Sequence, residues 1–326
     1  MSKLLEIDDL YVNYKTDEDV VYALNGFSLD VDRGETVGLV GETGAGKTTM
    51  ALSLLRLLPD GVGEISKGTI VYDDTDILNL PSKKIREIRG SEISMIFQDP
   101  MTSLNPIIKI GEQVREVLHM HSPDMPRSEQ DRRVDEYLSL VGIQPQRKDD
   151  YPFQFSGGMK QRVMIAMSLI GEPKLILADE PTTALDVTIQ AQILVLMREL
   201  KEKMDSSMIF ITHDLGIVAE FCDSIAVVYG GEVIERGSVD QVFSRKYNHP
   251  YTEGLFECIP DLKSTTKRLP NIVGTMLDPT NLPVGCKFAS RCPKRSDSCE
   301  LAKPEMYTVE EGHTIRCYNF EQKETE

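Results

Sequence analysis

Between a short apolar run, Thr36 to Val40, and a helix-patterned stretch, Lys47 to Leu58, the chain reads Gly41-Glu42-Thr43-Gly44-Ala45-Gly46-Lys47-Thr48-Thr49. The pattern G-x-x-x-x-G-K-T has its chemistry only at a strand-to-helix turn, and the flanking runs predict that turn. Its glycines let successive backbone N–H groups curl around an anion, and the start of the helix adds partial positive charge. Lys47 is suited to neutralise β- and γ-phosphates, and Thr48 offers a hydroxyl to Mg²⁺. The bland alternative is a glycine-rich turn beside a surface lysine.

A second anchor supports the first. The apolar run Leu175-Ile176-Leu177-Ala178 predicts a buried strand, and Asp179 and Glu180 follow it at once. Asp179 is placed to hold a Mg²⁺ shell, and Glu180 to polarise a water for in-line attack on the γ-phosphorus. Alone, two adjacent acids also suit a solvated turn.

The rest of the pattern reads as α/β. Leu4 to Ile7, Leu10 to Tyr14 and Phe27 to Val31 alternate like antiparallel strands. Thr36 to Val40, Ile93 to Phe97, Met208 to Thr212 and Ile225 to Tyr229 are buried-strand runs. Apolar strands alternating with helical stretches imply a mainly parallel sheet covered on both faces. From about 99 to 160 the strand signal gives way to amphipathic stretches such as Ile110 to Leu118 and Arg132 to Val141, a helical insertion. After about 244 the texture turns rich in Pro, Gly and Cys. The expected organisation is a nucleotide-binding domain over 1–244 and a small Cys-rich C-terminal module over 245–326.

Composition excludes some roles. A formal net charge of −16 argues against a nucleic-acid partner, which needs clustered Lys and Arg, and against adhesion to anionic lipid. No run approaches the ~20 apolar residues that span a bilayer, and the start, MSKLLEIDDL, is unlike a secretory signal. A cytosolic location follows as the expectation, with any membrane role supplied by a partner.

Phe155-Ser156-Gly157-Gly158-Met159-Lys160-Gln161 resembles the signature sequence of ABC ATPases, usually written LSGGQ. Here Phe stands for the leading Leu and Met-Lys precedes the Gln. Gln98 in Phe97-Gln98-Asp99-Pro100 is similar to that family's Q-loop, Asp186 in Ala184-Leu185-Asp186 to its D-loop, and His213 in Ile211-Thr212-His213-Asp214 to its switch histidine. The resemblance implies a P-loop ABC-type nucleotide-binding domain with a parallel core, an antiparallel β subdomain and a helical subdomain. Glu180, His213 and Gln98 would then be catalytic. Gln98 would join Thr48 and Asp179 around Mg²⁺, and Ser156, Gly157, Gly158 and Asp186 would reach nucleotide held by a second, facing subunit. Tyr14 matches the aromatic that stacks on adenine, with Tyr11 and Tyr22 as rivals.

The absence of transmembrane runs, of a second nucleotide domain and of a long coiled coil leaves a stand-alone transporter subunit. Its tail, Asn248-His249-Pro250-Tyr251-Thr252 and then Gly285-Cys286-Lys287-Phe288-Ala289-Ser290-Arg291-Cys292-Pro293, resembles the C-terminal extension of ATP-binding subunits of dipeptide and oligopeptide importers. Relatives in that group serve nickel, glutathione or other small solutes, and a non-transport ABC ATPase is the further alternative. The implied partners are two membrane permeases, a second ATP-binding subunit, identical or homologous, and indirectly an extracytoplasmic binding protein. The implied place is the cytoplasmic face of the membrane, held peripherally.

Cys286, Cys292, Cys299 and Cys317 are separated by five, six and seventeen residues. Zinc ribbons favour tight C-x₂₋₄-C pairs, whereas wide spacing and the Cys292-Pro293 step suit an iron–sulfur centre. The resemblance adds a 4Fe–4S cluster found in some members. Zinc and unmetallated thiols are the alternatives, with His313 expected as a loop residue.

Overall fold

The computed structural model describes residues 2–183, 185–259 and 271–325. Ala184, of the expected D-loop, lies outside them. The chain divides into two compact units, Met1–Asn79 with Ile211–Glu326, and Leu80–Phe210.

The first unit opens with β1 (Lys3–Lys15), β2 (Val20–Asp32), β3 (Thr36–Val40), α1 (Lys47–Leu54), β4 (Gly63–Tyr72) and the short β5 (Thr75–Asp76). An antiparallel sheet runs in the order β2-β1-β4-β5. Leu5 and Ile7 are buried, then Leu10 and Val12. That change of parity has a structural cause: the register shifts between Ile7 and Leu10, where Asp9 adopts a left-handed conformation (φ 48°). A bulge there returns the apolar side chains to the same face. The two expected short strands are therefore one bulged strand, and the run at Phe27 is the end of a longer β2. Helix α1 ends four residues short of Leu58, and Arg56 just beyond it is left-handed (φ 50°).

The second unit holds α2 (Ser82–Ile88), β6 (Ile93–Ile96), α3 (Pro100–Ser103), α4 (Ile110–His121), α5 (Arg127–Leu140), α6 (Gly157–Leu169), β7 (Leu175–Asp179) and α7 (Val187–Met204). β6 and β7 pair in parallel, Ile93 opposite Leu175. Among the described residues between β6 and α6 there are helices and 3₁₀ turns and no strand. α4 buries Ile110, Val114 and Leu118, one every four residues, so they form a single stripe. Its buried Gln113 bonds the backbone of Asn105 (2.8 and 3.0 Å) and Ile108 (2.8 Å), which fastens the loop before the helix.

β8 (Ser207–Thr212) carries the chain back to the first unit. There it forms α8 (Leu215–Phe221), β9 (Ser224–Tyr229), β10 (Glu232–Ser238), α9 (Val239–Phe243), α10 (Pro250–Glu257), α11 (Ser298–Leu301), β11 (Tyr307–Glu310) and β12 (His313–Ile315). In this unit the order is β11-β12-β10-β9-β3. β3 and β9 are parallel, and the pairs beyond β9 are antiparallel. The whole is a mixed α/β fold with parallel and antiparallel sheets.

One core cluster joins Val40, Ile225, Val227 and Tyr229 to Tyr251, Phe256 and Phe288, so packing runs across the change of texture near residue 244. His313 corrects the expectation of a loop. It opens β12, is buried, and its Nε2 lies 3.0 Å from Glu235 Oε1. Glu235, fully buried in β10, also accepts from Asn248 Nδ2 (2.9 Å) and the His249 amide (2.8 Å). A buried carboxylate requires such donors, and meeting that need draws His313 out of solvent.

Candidate functional site

The predicted site residues are divided between the two units. On the first, the Gly41–Gly46 turn links β3 to α1. A Cβ at Gly41 would sit 2.3 Å from the Val228 carbonyl oxygen. Gly46, at φ 101°, would place one 2.6 Å from that of Ala23. Both positions therefore exclude any side chain. Lys47 is only 6% exposed, and its Nζ donates to the carbonyls of Gly41 (2.6 Å) and Glu42 (3.0 Å). The lysine thus arches over its own loop. Ala45 is buried beneath, while Thr43, Gly44 and Thr48 are exposed on the lip. This is a rigid concave turn with a cation drawn across it, the arrangement an anion needs.

Tyr14 stands beside this loop, its hydroxyl donating to Thr49 Oγ1 (3.2 Å). Tyr11 is engaged elsewhere, with the Lys67 ammonium 5.2 Å from its ring centre. Tyr22 is exposed and lines a cleft with Glu42, Gly44, Ala45 and Met276. His213 follows β8 and is exposed. The next residue, Asp214, caps α8 by accepting from the Gly216 amide (2.8 Å).

On the second unit, Asp179 ends β7 and is 3% exposed. Glu180 turns out of the strand with φ 45°, a conformation uncommon for a non-glycine residue and concentrated at functional sites. Its Oε2 accepts from Gln98 Nε2 (2.9 Å) and from Thr183 Oγ1 (2.9 Å). Gln98 and Glu180, 82 positions apart, are thus in direct contact. Ser156 caps α6, accepting from the Met159 amide (3.4 Å), and Gly157 and Gly158 open the helix, with open space where a Cβ on Gly157 would stand. Phe155, in place of the usual leucine, lies under the Arg147 guanidinium, 4.3 Å from its centre. Asp186 caps α7 through the Ile189 amide (3.0 Å). A Cβ on Gly158 would meet Ile189 Cγ2 at 2.8 Å, so the starts of α6 and α7 touch.

The ABC transporter model matches residues 24–183. A second family, the oligopeptide/dipeptide transporter C-terminal region, matches residues 234–299. The oligopeptide transport ATP-binding protein AppD of Bacillus subtilis is 45% identical, spanning 100% of this chain and 99% of that protein. The chain belongs to the ABC transporter family of ATP-binding proteins. The dipeptide transport ATP-binding protein DppD of the same organism is 44% identical over 99% of this chain and 96% of its own length. Among solved structures, a post-hydrolysis dimer of the ATP-binding cassette MJ0796 with ADP and Pi is 29% identical. Its TM-score is 0.65, and the match covers 72% of this chain and 98% of that one. CbiO1 from Clostridium perfringens is 31% identical with a TM-score of 0.64, covering 76% and 92%.

ATP and Mg²⁺ are what an ABC ATPase uses, and the residues fit them. The loop of Lys47 is shaped for phosphates, Thr48 exposes a hydroxyl, and Asp179 and Glu180 supply carboxylate at a strand end. The cysteines fit a metal less well. All four are free thiols, Cys299 and Cys317 buried and the others half-buried. Cys286 and Cys299 lie on adjoining segments, the Cys286 amide donating to the Cys299 carbonyl (2.8 Å). Burial pushes Cys286 up to about 11 and Cys317 up to about 12. Among the described residues no group of three or more His, Cys, Asp or Glu side chains stands where it could hold a metal ion. The expected 4Fe–4S centre is not supported by this arrangement. Among the described residues no helix is long and apolar enough to cross a membrane.

Sequence reasoning missed three residues. Thr183 steadies Glu180. Arg291 and Tyr251 grip Glu42, the carboxylate by two bonds and the amide by one. Thr183 had the hint of an acid three positions before it. Arg291 and Tyr251 sit more than 200 positions from Glu42, and no local pattern marks them.

Proposed function

We propose that this chain binds MgATP at the Lys47 loop and hydrolyses it to drive import of dipeptides or oligopeptides through two membrane permease subunits. The observation that carries this reading is the Gln98–Glu180–Thr183 contact at the end of a buried strand, in a chain similar over nearly its whole length to peptide transport ATP-binding proteins. Mg²⁺ supplies charge neutralisation for the β- and γ-phosphates, with Thr48, Asp179 and Gln98 to hold it. Gly41 to Thr49 cradle the triphosphate, with Lys47 against its charge. Tyr14 stacks on the adenine. Glu180 orients and polarises the attacking water, and His213 senses the γ-phosphate. Ser156, Gly157, Gly158 and Asp186 serve nucleotide on a facing ATP-binding subunit, so turnover needs two such chains.

In this reading residues 1–244 are the ATPase domain and 245–326 the importer-type extension, and the chain works peripherally on the cytoplasmic face. An extracytoplasmic binding protein delivers the cargo, and no nucleic acid takes part. The four cysteines carry a finer reading, a 4Fe–4S centre or zinc. Their mutual electrostatic influence supports it and the lack of a metal-holding arrangement counts against it. Iron, zinc and acid-labile sulfide analysis of anaerobically purified protein decides. The test of function is reconstitution with its permeases in vesicles. ATP hydrolysis stimulated by peptide, and not by nickel or glutathione, supports the proposal, and failure to copurify with any permease overturns it.

A further inference from the structure

An anion-binding loop that carries a carboxylate faces an electrostatic conflict. Glu42 is the second residue of the phosphate loop, and a free negative charge there opposes a triphosphate carrying several more. The structure places a cation on it. Arg291 Nη1 lies 2.7 Å from Glu42 Oε2 and Nη2 lies 3.0 Å from Oε1, a two-pronged pair that uses both carboxylate oxygens. The Arg291 side chain is only 4% exposed. Its guanidinium carbon lies 5.9 Å from the ring centre of Tyr229 and 5.9 Å from that of Phe288, and its Nε donates to the Val273 carbonyl (3.3 Å). The loop backbone is tied to the same region, because the Glu42 amide donates to Tyr251 Oη (2.9 Å) and Tyr251 is fully buried.

We infer that Arg291 is a positioning residue for nucleotide binding: it neutralises Glu42 and turns it away from the phosphate loop, so that the C-terminal extension completes the electrostatics of the ATP site. This rests on the reading that the Lys47 loop binds ATP. Three observations carry it together. The pair is bidentate, its cation is buried beside two aromatic rings, and a second bond from Tyr251 holds the same loop residue. A tether needing only shape would not require a full guanidinium on a carboxylate inside an anion-binding turn. Lysine, a point charge without the fork, is an incomplete substitute there.

The test measures ATP and ADP dissociation constants on the full chain in low salt, with thermal melting of the nucleotide-free protein alongside. Arg291→Gln is expected to weaken ATP binding ~10-fold or more, and ADP binding by less because it carries less charge. Adding Glu42→Gln to that variant is expected to restore most of the loss, and raising the salt to shrink it. Arg291→Lys should fall between. Glu42→Gln alone is expected to tighten ATP binding at low salt, which keeps the test decisive should Arg291→Gln fail to fold. Wild-type affinity in Arg291→Gln, an equal loss in the double variant, or weaker ATP binding by a normally melting Glu42→Gln overturns the inference. Absence of ATP binding by the wild-type chain would instead overturn the nucleotide reading itself.

Discussion

Glu180 combines two features that rarely coincide by accident. Its backbone is left-handed without being glycine, a strain of about 1–3 kcal/mol. Its carboxylate is held by two neutral donors, Gln98 and Thr183. Glu180→Gln keeps the size and the backbone, and is expected to bind ATP normally while steady-state hydrolysis falls by about 100-fold or more. Hydrolysis near the wild-type rate would remove Glu180 from the role of base. At His249 the physics is burial. Desolvation lowers its pKa to about 3, and Nδ1 accepts from the Tyr251 amide (3.0 Å), which requires the neutral ring. The unfolded imidazole takes its proton near pH 6.5. Between about 6.5 and 3 the unfolded chain therefore binds a proton that the folded chain refuses, and stability is lost as the pH drops, by up to ~1.4 kcal/mol per unit. His249→Asn keeps a capping side chain without that proton. Its urea midpoint should depend less on pH than wild type over pH 6.5 to 5, and parallel curves would show that the histidine contributes nothing there.

Two helices begin at side-chain caps that also belong to the proposed site. Asp186 closes the first turn of α7 on the Ile189 amide, and Ile189 is the residue that crowds Gly158 at the start of α6. Asp186→Ala is expected to cost about 1 kcal/mol, within the ~0.5–2 range for lost caps, and to lower the melting temperature by a few degrees. A change in turnover larger than that loss explains would mark a further role in pairing. Ser156 is different, because the helix start is open at its neighbour Gly157, with nothing within 4 Å of where a Cβ would stand. Ser156→Arg fills that opening with a long cation. ATP binding by the monomer should survive while ATP-dependent dimerisation, read by size-exclusion chromatography in a Glu180→Gln background, is lost. Abolished binding in the monomer would contradict a site shared between subunits.

The first unit owes its core to both ends of the chain. Tyr251, Phe256 and Phe288 pack with Val40, Ile225 and Val227, and buried Glu235 in β10 is satisfied by Asn248, His249 and His313. Truncation after Ser244 strips that apolar cover and leaves the carboxylate without its donors, two of the costliest changes a core can suffer. The 1–244 fragment is expected to be insoluble or to melt far below the full chain. A soluble, monodisperse fragment with full ATP affinity would show that the extension is an independent appendage.

What the sequence determined by itself was the chemistry of short segments. Gly41 to Thr48, Asp179-Glu180 and Ser156 to Gly158 announce a tight turn, a strand end and a helix start, because each demands particular residue types within a few positions. Buried strands such as β3, β7 and β9 were legible for the same reason, since burial on both faces leaves an unbroken apolar run. The bulge that makes one strand of β1 hid itself by reversing the alternation at Asp9. β4 and β10 to β12 carry polar residues that only sheet pairing and buried partners make acceptable. The four cysteines suggested a metal by their spacing, the Cys292-Pro293 step and a family resemblance, and among the described residues no group of three or more ligating side chains stands where it could hold a metal ion. The tertiary structure did bring Arg291 onto Glu42 across 249 positions. Such a contact follows from how the core closes, and no period or motif along the chain encodes it.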